Sequence, residues 1–226
     1  MSSEQVLKFV VKDAEGLRDV VLSKADGGQY LEKGLKESLS EVSADTVYEV
    51  VVEDFSGVSS LLGGGEITAG SPDIVILSLA AEMERLKGLD NPDDDVAAVR
   101  ADLVAAIRRI KEELGAHILV TNVSTLDPSN PVFTYHGVEE QPWTLRGHRL
   151  NLMLIGVSHD EGISIVDVDR KIAEAGGDRA VVGAARYSEV GCQTILEEIV
   201  RIVEDYGFLD DRPIMEQVGA AAGGGS

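Results

Sequence analysis

The sequence is poor in aromatic residues, cysteine and positive charge. These shortages limit, in turn, how the core is filled, whether disulfides form and which partners bind. Aromatic residues make up 4% of the 226, so aliphatic side chains must fill the core. The single cysteine, Cys192, excludes an intrachain disulfide and fits a reducing compartment. Forty acidic residues against 20 basic ones give a formal net charge of −20. Nucleic acids and anionic membranes attract clustered Lys and Arg, so we expect neither as a partner.

The sequence also lacks long apolar runs. No stretch is long enough to cross a bilayer, and the first residues do not have the pattern of a secretory signal. These absences predict a cytoplasmic protein. The last eight residues, 219–226 (GAAAGGGS), are low in complexity and are predicted to form a flexible tail.

Short apolar runs alternate with segments of helical spacing. The most distinctive run is 74–77, four aliphatic residues without a polar face, which is typical of a strand buried on both sides. The alternation predicts an α/β fold, a three-layer α/β/α sandwich with a mainly parallel sheet of about five strands. The predicted strands are 19–22, 47–52, 74–77, 118–121 and 163–168.

The alternation continues to the last predicted helix, so residues 1–218 are interpreted as one domain. The apolar run within residues 1–17 is interpreted as an extra N-terminal strand, outside the main series. Residues 122–143 contain three prolines and show no period, which is typical of a functional or mobile loop.

Several local phrases resemble sequence blocks of the SGNH/GDSL hydrolases, a family of esterases, lipases and acyltransferases. FSGVSSLL and SPDIVILSL resemble the second and third blocks, and AHILVTNVSTLDP resembles the segment after them. RYSEVGCQTILEEIVRIVEDYGF resembles the final block and the last helix. The resemblance covers residues 19–208 and implies the three-layer fold of that family.

The resemblance also implies where the chemistry would lie. In that family a serine in a GDS-type turn is the nucleophile, a glycine and an asparagine form the oxyanion hole, and an Asp–His pair activates the serine. The preferred placement of the turn is Ser23-Lys24-Ala25-Asp26, and a second placement is Lys12-Asp13-Ala14. The family positions then fall on Ala25, Gly57, Glu82, Gly183 and Arg186.

Only Gly57 among these residues suits the family's mechanism. Alanine has no nucleophile, a carboxylate has no proton to donate to an oxyanion, and a guanidinium cannot accept a proton near neutral pH. The sequence therefore predicts a divergent SGNH/GDSL-hydrolase-like protein without standard serine-esterase activity, acting as a binding or assembly partner. The alternative is an active carboxylester hydrolase or acyltransferase whose residues this placement misses.

No catalytic residue is assigned, and no cofactor or metal is predicted. The candidate ligand-binding residues are Lys24, Gly57, Glu82, His136 and Arg186. We expect Glu82 to pair with one of the two cations and fill the old pocket, in preference to an anion site formed by both cations. We expect the partner to be an unidentified small molecule or protein. The sequence does not decide whether the chain forms a homo-oligomer.

Two further features favour structural roles over functional ones. Cys192 is predicted to be a small buried residue of the last helix. Asp167 and Asp169 follow the last predicted strand, where ligands often bind, but helix capping is the favoured interpretation over a metal site.

Overall fold

Five parallel strands form the central sheet of the protein. The structure is a computed structural model that describes residues 5–13, 30–42, 46–86, 92–126, 143–183 and 186–207. The strands are β1, Gln5–Asp13; β2, Thr46–Asp54; β3, Ile74–Ser78; β4, His117–Thr121; and β5, Ser164–Val166. Their order across the sheet is β2-β1-β3-β4-β5, with parallel pairing throughout. This confirms the predicted fold class.

Helices connect the strands and cover both faces of the sheet, as crossovers between parallel strands require. They are α1, Tyr30–Val42; α2, Glu82–Arg85; α3, Pro92–Leu114; α4, Trp143–Glu161; α5, Val168–Glu174; and α6, Glu189–Asp205. Short 3-10 helices span Val58–Leu62 and Gly177–Arg179. Two antiparallel strands, β6 (Val181–Gly183) and β7 (Arg186–Tyr187), form a small second sheet ahead of α6.

Side chains alternate between two cores on opposite faces of the sheet. One core joins the odd residues of β1 to α1 and α6, and the other joins Val75, Leu77 and Val120 to α3 and α4. All five residues of β3 are buried, because both of its faces are covered. The uninterrupted apolar run of β3 follows from this double burial.

The central strand of the sheet is β1, which pairs with β2 on one side and β3 on the other. The strand predicted at residues 19–22 lies outside the described residues and stays a prediction. Leu7, Phe9 and Val11 of β1 fill one core, and Val10 is buried on the opposite face of the strand. The N-terminal strand predicted within residues 1–17 therefore lies inside the sheet, between β2 and β3. Residues 14–29 lie outside the described residues.

The last helix agrees with its prediction. Ser188 caps α6, because its hydroxyl accepts a hydrogen bond from the backbone N–H of Gly191 at 3.3 Å. Cys192 is buried in the first turn of this helix, as predicted. The predicted tail at 219–226 lies outside the described residues, and its flexibility stays a prediction. No helix in the described part of the chain is long and apolar enough to cross a membrane.

Candidate functional site

The carboxyl ends of the parallel strands meet at one edge of the sheet, which is where α/β proteins usually bind ligands. Gly57 follows β2 and Glu82 follows β3, so the two residues flank the end of β1. The structure brings these two predicted positions into contact. A Cβ atom placed on Gly57 would lie 2.6 Å from Glu82 Oε1.

Gly57 has a backbone conformation that suits glycine alone. Its φ angle is +113°, where other residues are strained, and the approach of Glu82 leaves no room for a side chain. Its carbonyl accepts hydrogen bonds from the backbone N–H and the hydroxyl of Ser60, at 3.0 and 2.6 Å. This tight turn directs the N–H of Val58 towards Glu82.

The Glu82 carboxylate is fully buried, with 0% of the residue exposed, and both of its oxygens have a donor. Oε1 accepts a hydrogen bond from the backbone N–H of Val58 at 2.7 Å. Oε2 accepts one from Arg85 Nη1 at 2.8 Å. The cation and the backbone donor compensate the cost of burying this charge. Removing either partner would leave the buried carboxylate with an uncompensated desolvation cost, which would destabilise the fold.

Arg85 extends this network to the neighbouring helices. Its Nη2 atom lies 2.8 Å from Asp102 Oδ2 on α3, so one guanidinium bridges two carboxylates. The buried side chain of Arg146 on α4 donates to the carbonyl of Met83 at 3.0 Å. The short helix α2 is thereby fixed to both α3 and α4.

The cation beside Glu82 is one that the sequence analysis did not consider. Glu82 and Arg85 are three residues apart, so they share one side of a helical turn, and this spacing was the available signal. Of the expected cations, Lys24 lies outside the described residues, and so does the side chain of Arg186. Ala25 and His136 lie outside them as well. Gly183 and Arg186 are paired in the β6–β7 hairpin, ahead of α6.

The strand order bears on the placement of the nucleophile turn. The second placement, Lys12-Asp13-Ala14, is the one at the end of β1, which lies between β2 and β3. Ala14 and Ala25 both lie outside the described residues, so the choice between the two placements stays a prediction. Either placement puts an alanine at the position of the family's serine.

Lys12 forms a second buried ion pair at the end of β1. Its ammonium group pairs with Glu53 of β2 and donates to the carbonyl of Ile67 at 2.5 Å. Thr68 donates to the same carboxylate, also at 2.5 Å. Burial raises the pKa of Glu53, but the hydrogen bonds from Lys12 and Thr68 outweigh burial and lower the pKa below its usual value. Glu53 is therefore ionised wherever the protein is folded near neutral pH.

Ser78 and Ser124 lie at the same edge of the sheet, and both are buried. Ser78 ends β3 and its hydroxyl oxygen accepts a hydrogen bond from the backbone N–H of Ala80 at 3.3 Å. Ser124 follows β4 and accepts one from Leu126, also at 3.3 Å. These hydroxyls support local turns of the backbone.

An open groove of about 640 Å³ lies beside this site, past the ends of β4 and β5. Asn122 Nδ2 donates to Asp167 Oδ1 at 2.7 Å, and the hydroxyl of Thr125 donates to Asp169 Oδ1 at 2.9 Å. Asp167 also caps α5 by accepting from the N–H of Arg170, which confirms the capping interpretation for Asp167, whereas Asp169 lies in the first turn of that helix. The described residues include no group of three His, Cys, Asp or Glu side chains that could hold a metal ion.

The far wall of the groove contains a second buried carboxylate, Glu198, which is 2% exposed. Three cations surround it: Arg201 at 2.8 Å, Arg170 at 3.3 Å and Lys171 at 3.6 Å. The hydrogen bond from Arg201 lowers the pKa of Glu198 below its usual value, and the charges of the other two cations add to this effect. The cluster joins α5 to α6.

No family model and no curated protein matches the sequence. Solved structures do match. A member of the lipolytic G-D-S-L family from Veillonella parvula is 15% identical, with a TM-score of 0.59, over 88% of this chain and 98% of that chain. A lipase/acylhydrolase from Enterococcus faecalis is 17% identical, with a TM-score of 0.61, over 88% and 96%.

A mutant of an acetyl-xylooligosaccharide esterase from Geobacillus stearmophilus gives a similar result. It is 15% identical, with a TM-score of 0.60, and the match covers 89% of this chain and 94% of that chain. At these identities the likeness concerns the fold. The chain has the α/β fold of the SGNH/GDSL hydrolases over most of its length, as the sequence resemblance implied.

Proposed function

We propose that this chain is a divergent SGNH/GDSL-hydrolase-like protein that does not perform the standard serine-esterase reaction and acts by binding or assembly. One observation carries the proposal. The buried carboxylate of Glu82 accepts the N–H of Val58, the backbone donor beside Gly57.

A carboxylate at this point opposes ester hydrolysis for an electrostatic reason. Hydrolysis places negative charge on the carbonyl oxygen of the substrate, and each donor aimed at that oxygen supplies about 3–4 kcal/mol of transition-state stabilisation. Here Glu82 takes the backbone N–H next to Gly57 and would repel a second negative charge. Because Arg85 and Val58 hold both oxygens of the carboxylate, moving it aside would break a buried ion pair.

The nucleophile position supports the same proposal. Whichever turn is aligned with the family's GDS motif, the residue at the serine position is an alanine, Ala14 or Ala25. A nucleophile and an oxyanion donor are required together, so the two changes reinforce each other.

A small polar molecule is the ligand that the groove past β4 and β5 suits best. Its walls combine amide, carboxylate and guanidinium groups with the apolar side chains of Ile155 and Ile165. A few polar groups set among apolar ones are typical of small-molecule sites, and the carboxyl ends of strands are their usual place in this fold class. The identity of the molecule is open.

The alternative is an active carboxylester hydrolase or acyltransferase. Its support is that the similar solved structures are named as a lipase/acylhydrolase and an esterase. In that case the nucleophile and the base would come from residues other than the degenerate positions, and His136 is the candidate base.

Hydrolysis of nitrophenyl acetate and nitrophenyl butyrate by the purified full chain tests the proposal. The same chain unfolded in urea, then diluted into the assay, is the control for slow hydrolysis by surface side chains. We expect equal rates for the two samples and no effect of a serine-reactive phosphonate. Saturable turnover by the folded chain that the phosphonate abolishes would support the alternative and overturn the proposal.

A further inference from the structure

The edge strand β2 is long and regular. It runs for nine residues, Thr46–Asp54, and pairs with β1 in one unbroken register. Within the described ranges no strand pairs with its other side, so the outward backbone N–H and C=O groups of residues 47–53, a row about 20 Å long, face no strand of the described sheet. Proline, bulges or short length usually protect such edges, and β2 has none of these.

One face of the sheet near this edge is apolar and exposed. Val6 is 41% exposed, Val47 is 39% exposed and Val51 is 49% exposed. Val6 and Val47 are register partners on β1 and β2, and Val51 lies on the same face of β2, beyond Glu49. The opposite face is closed, because Tyr48 and Val50 are buried in the core that α1 covers.

The charges of β2 are largely compensated within the chain. Glu49 lies 3.2 Å from Lys8, and Glu53 pairs with Lys12. Both lysines belong to β1 and are the register partners of these glutamates. The edge therefore presents valines and glutamates whose charges are already paired. A neutral strand rich in valine fits such an edge better than a strand rich in Lys and Arg does.

We propose that β2 pairs with β2 of a second copy of this chain, antiparallel around Val50, and joins the two sheets into one. In this register Glu49 faces Val51, Glu53 faces Val47, and Asp54 faces Thr46, so no two carboxylates meet across the interface. Centring the pair on Val51 instead would place Glu49 opposite Glu53. A two-fold pair of identical strands also closes the assembly at two copies. The inference holds whether or not the chain hydrolyses esters.

Sedimentation equilibrium of the full chain, from micromolar to hundred-micromolar concentration, tests this inference. We expect a reversible shift from the mass of one chain to twice that mass. The dimer should strengthen as salt is raised, because salt screens the repulsion between two chains of net charge −20. A single-chain mass at every concentration and salt level would overturn the proposal.

Two substitutions at one exposed position test the register. Val51→Glu places like charges opposite Glu49 twice in each dimer and should raise the dissociation constant at least about tenfold. Val51→Lys places opposite charges there and should leave the dimer as stable as in the unchanged chain, or more stable. Leu152→Glu, at a residue of α4 that is 69% exposed, adds the same charge away from β2 and should leave dimerisation unchanged.

Circular dichroism and the melting temperature establish that each variant is folded before its mass is measured. Equal effects of Val51→Glu and Val51→Lys, or loss of the dimer on Leu152→Glu, would contradict pairing through β2. Dimerisation lost in Val51→Glu alone supports the proposed register.

Discussion

Glu82 and Glu198 are both buried carboxylates, but different parts of the structure hold them. Glu82 accepts a backbone N–H from the Gly57 turn and one arginine. Glu198 is held only by the long side chains of Arg170, Lys171 and Arg201, two of which are half exposed. The first carboxylate is fixed to the backbone, and the second to side chains that can rearrange.

This difference separates a carboxylate held by the backbone from one held by mobile side chains. Glu82 lies where the strands end, and it cannot move without moving the turn that follows β2. Glu198 joins two helices on one face of the sheet, and its partners remain in contact with water. We therefore expect changes at Glu82 to affect stability and the Gly57 turn together, and changes at Glu198 to affect the packing of α5 on α6 and the wall of the groove that Glu198 lines.

The largest expected effect is that of Glu82→Ala. It leaves the N–H of Val58 without an acceptor and removes one partner of Arg85, so it should lower the free energy of unfolding by about 3–5 kcal/mol. Glu82→Gln keeps an acceptor for Val58 and should lose about half as much. Urea unfolding measures both. An alanine variant within about 0.5 kcal/mol of the unchanged chain would show that the network is not stabilising.

Gly57→Ala should follow, with a loss of about 3 kcal/mol from a strained φ and a clash with Glu82 Oε1. Gly70→Ala is the matched control, because Gly70 also has a positive φ, +91°, but has nothing within 4 Å of its added Cβ. It should lose about 1–2 kcal/mol. Combining Gly57→Ala with Glu82→Ala should lose less than the sum of the two. Equal losses in the two glycine variants would contradict the close contact.

Glu198→Gln should have a smaller effect, about 1–2 kcal/mol near neutral pH. The cations lower the pKa of Glu198 in the folded chain, so its contribution is full above the usual carboxyl pKa and is lost as the pH falls through the folded value. The difference between the two proteins should therefore shrink as the pH is lowered below about 4.5. Urea unfolding across this pH range provides the measurement. A difference that grows on acidification would mean that the pKa of Glu198 is raised in the folded chain.

The smallest effect is expected for Arg100→Ala. Arg100 and Asp160 form an ion pair of 2.8 Å between α3 and α4, but both side chains are half exposed. Exposed pairs of this kind contribute less than about 0.5 kcal/mol. The melting temperature should stay nearly unchanged. A loss of stability as large as that of Glu198→Gln would mean that exposed ion pairs contribute as much here as buried ones.

Much of the fold could be predicted from local pattern. The uninterrupted apolar run of β3 and the spacing of α6 each indicate their environment, because a strand covered on both faces and an amphipathic helix have different periods. The central place of β1 was less evident. Lys8 and Lys12 interrupt its apolar pattern, and only the pairing of these lysines with glutamates of β2 shows why they are tolerated.

Part of the candidate site could also be predicted from the sequence. The resemblance indicated Gly57 and Glu82, which lie directly after strands and are in contact in the structure. It did not indicate Arg85, since a helix of four residues has too few turns to show a periodic pattern. The strand order, which sequence pattern alone does not give, showed that the second placement of the nucleophile turn is the one at the end of β1.

The central claim is that the carboxylate of Glu82 occupies a position where ester hydrolysis would require a donor, and that no serine nucleophile acts beside it. Intact-mass spectrometry after treatment with excess fluorophosphonate tests this claim most directly, with an active serine esterase treated in parallel. We predict that the esterase gains one adduct while the mass of this chain stays unchanged. A stoichiometric adduct on one serine of the folded chain, absent when the chain is unfolded first, would contradict the account.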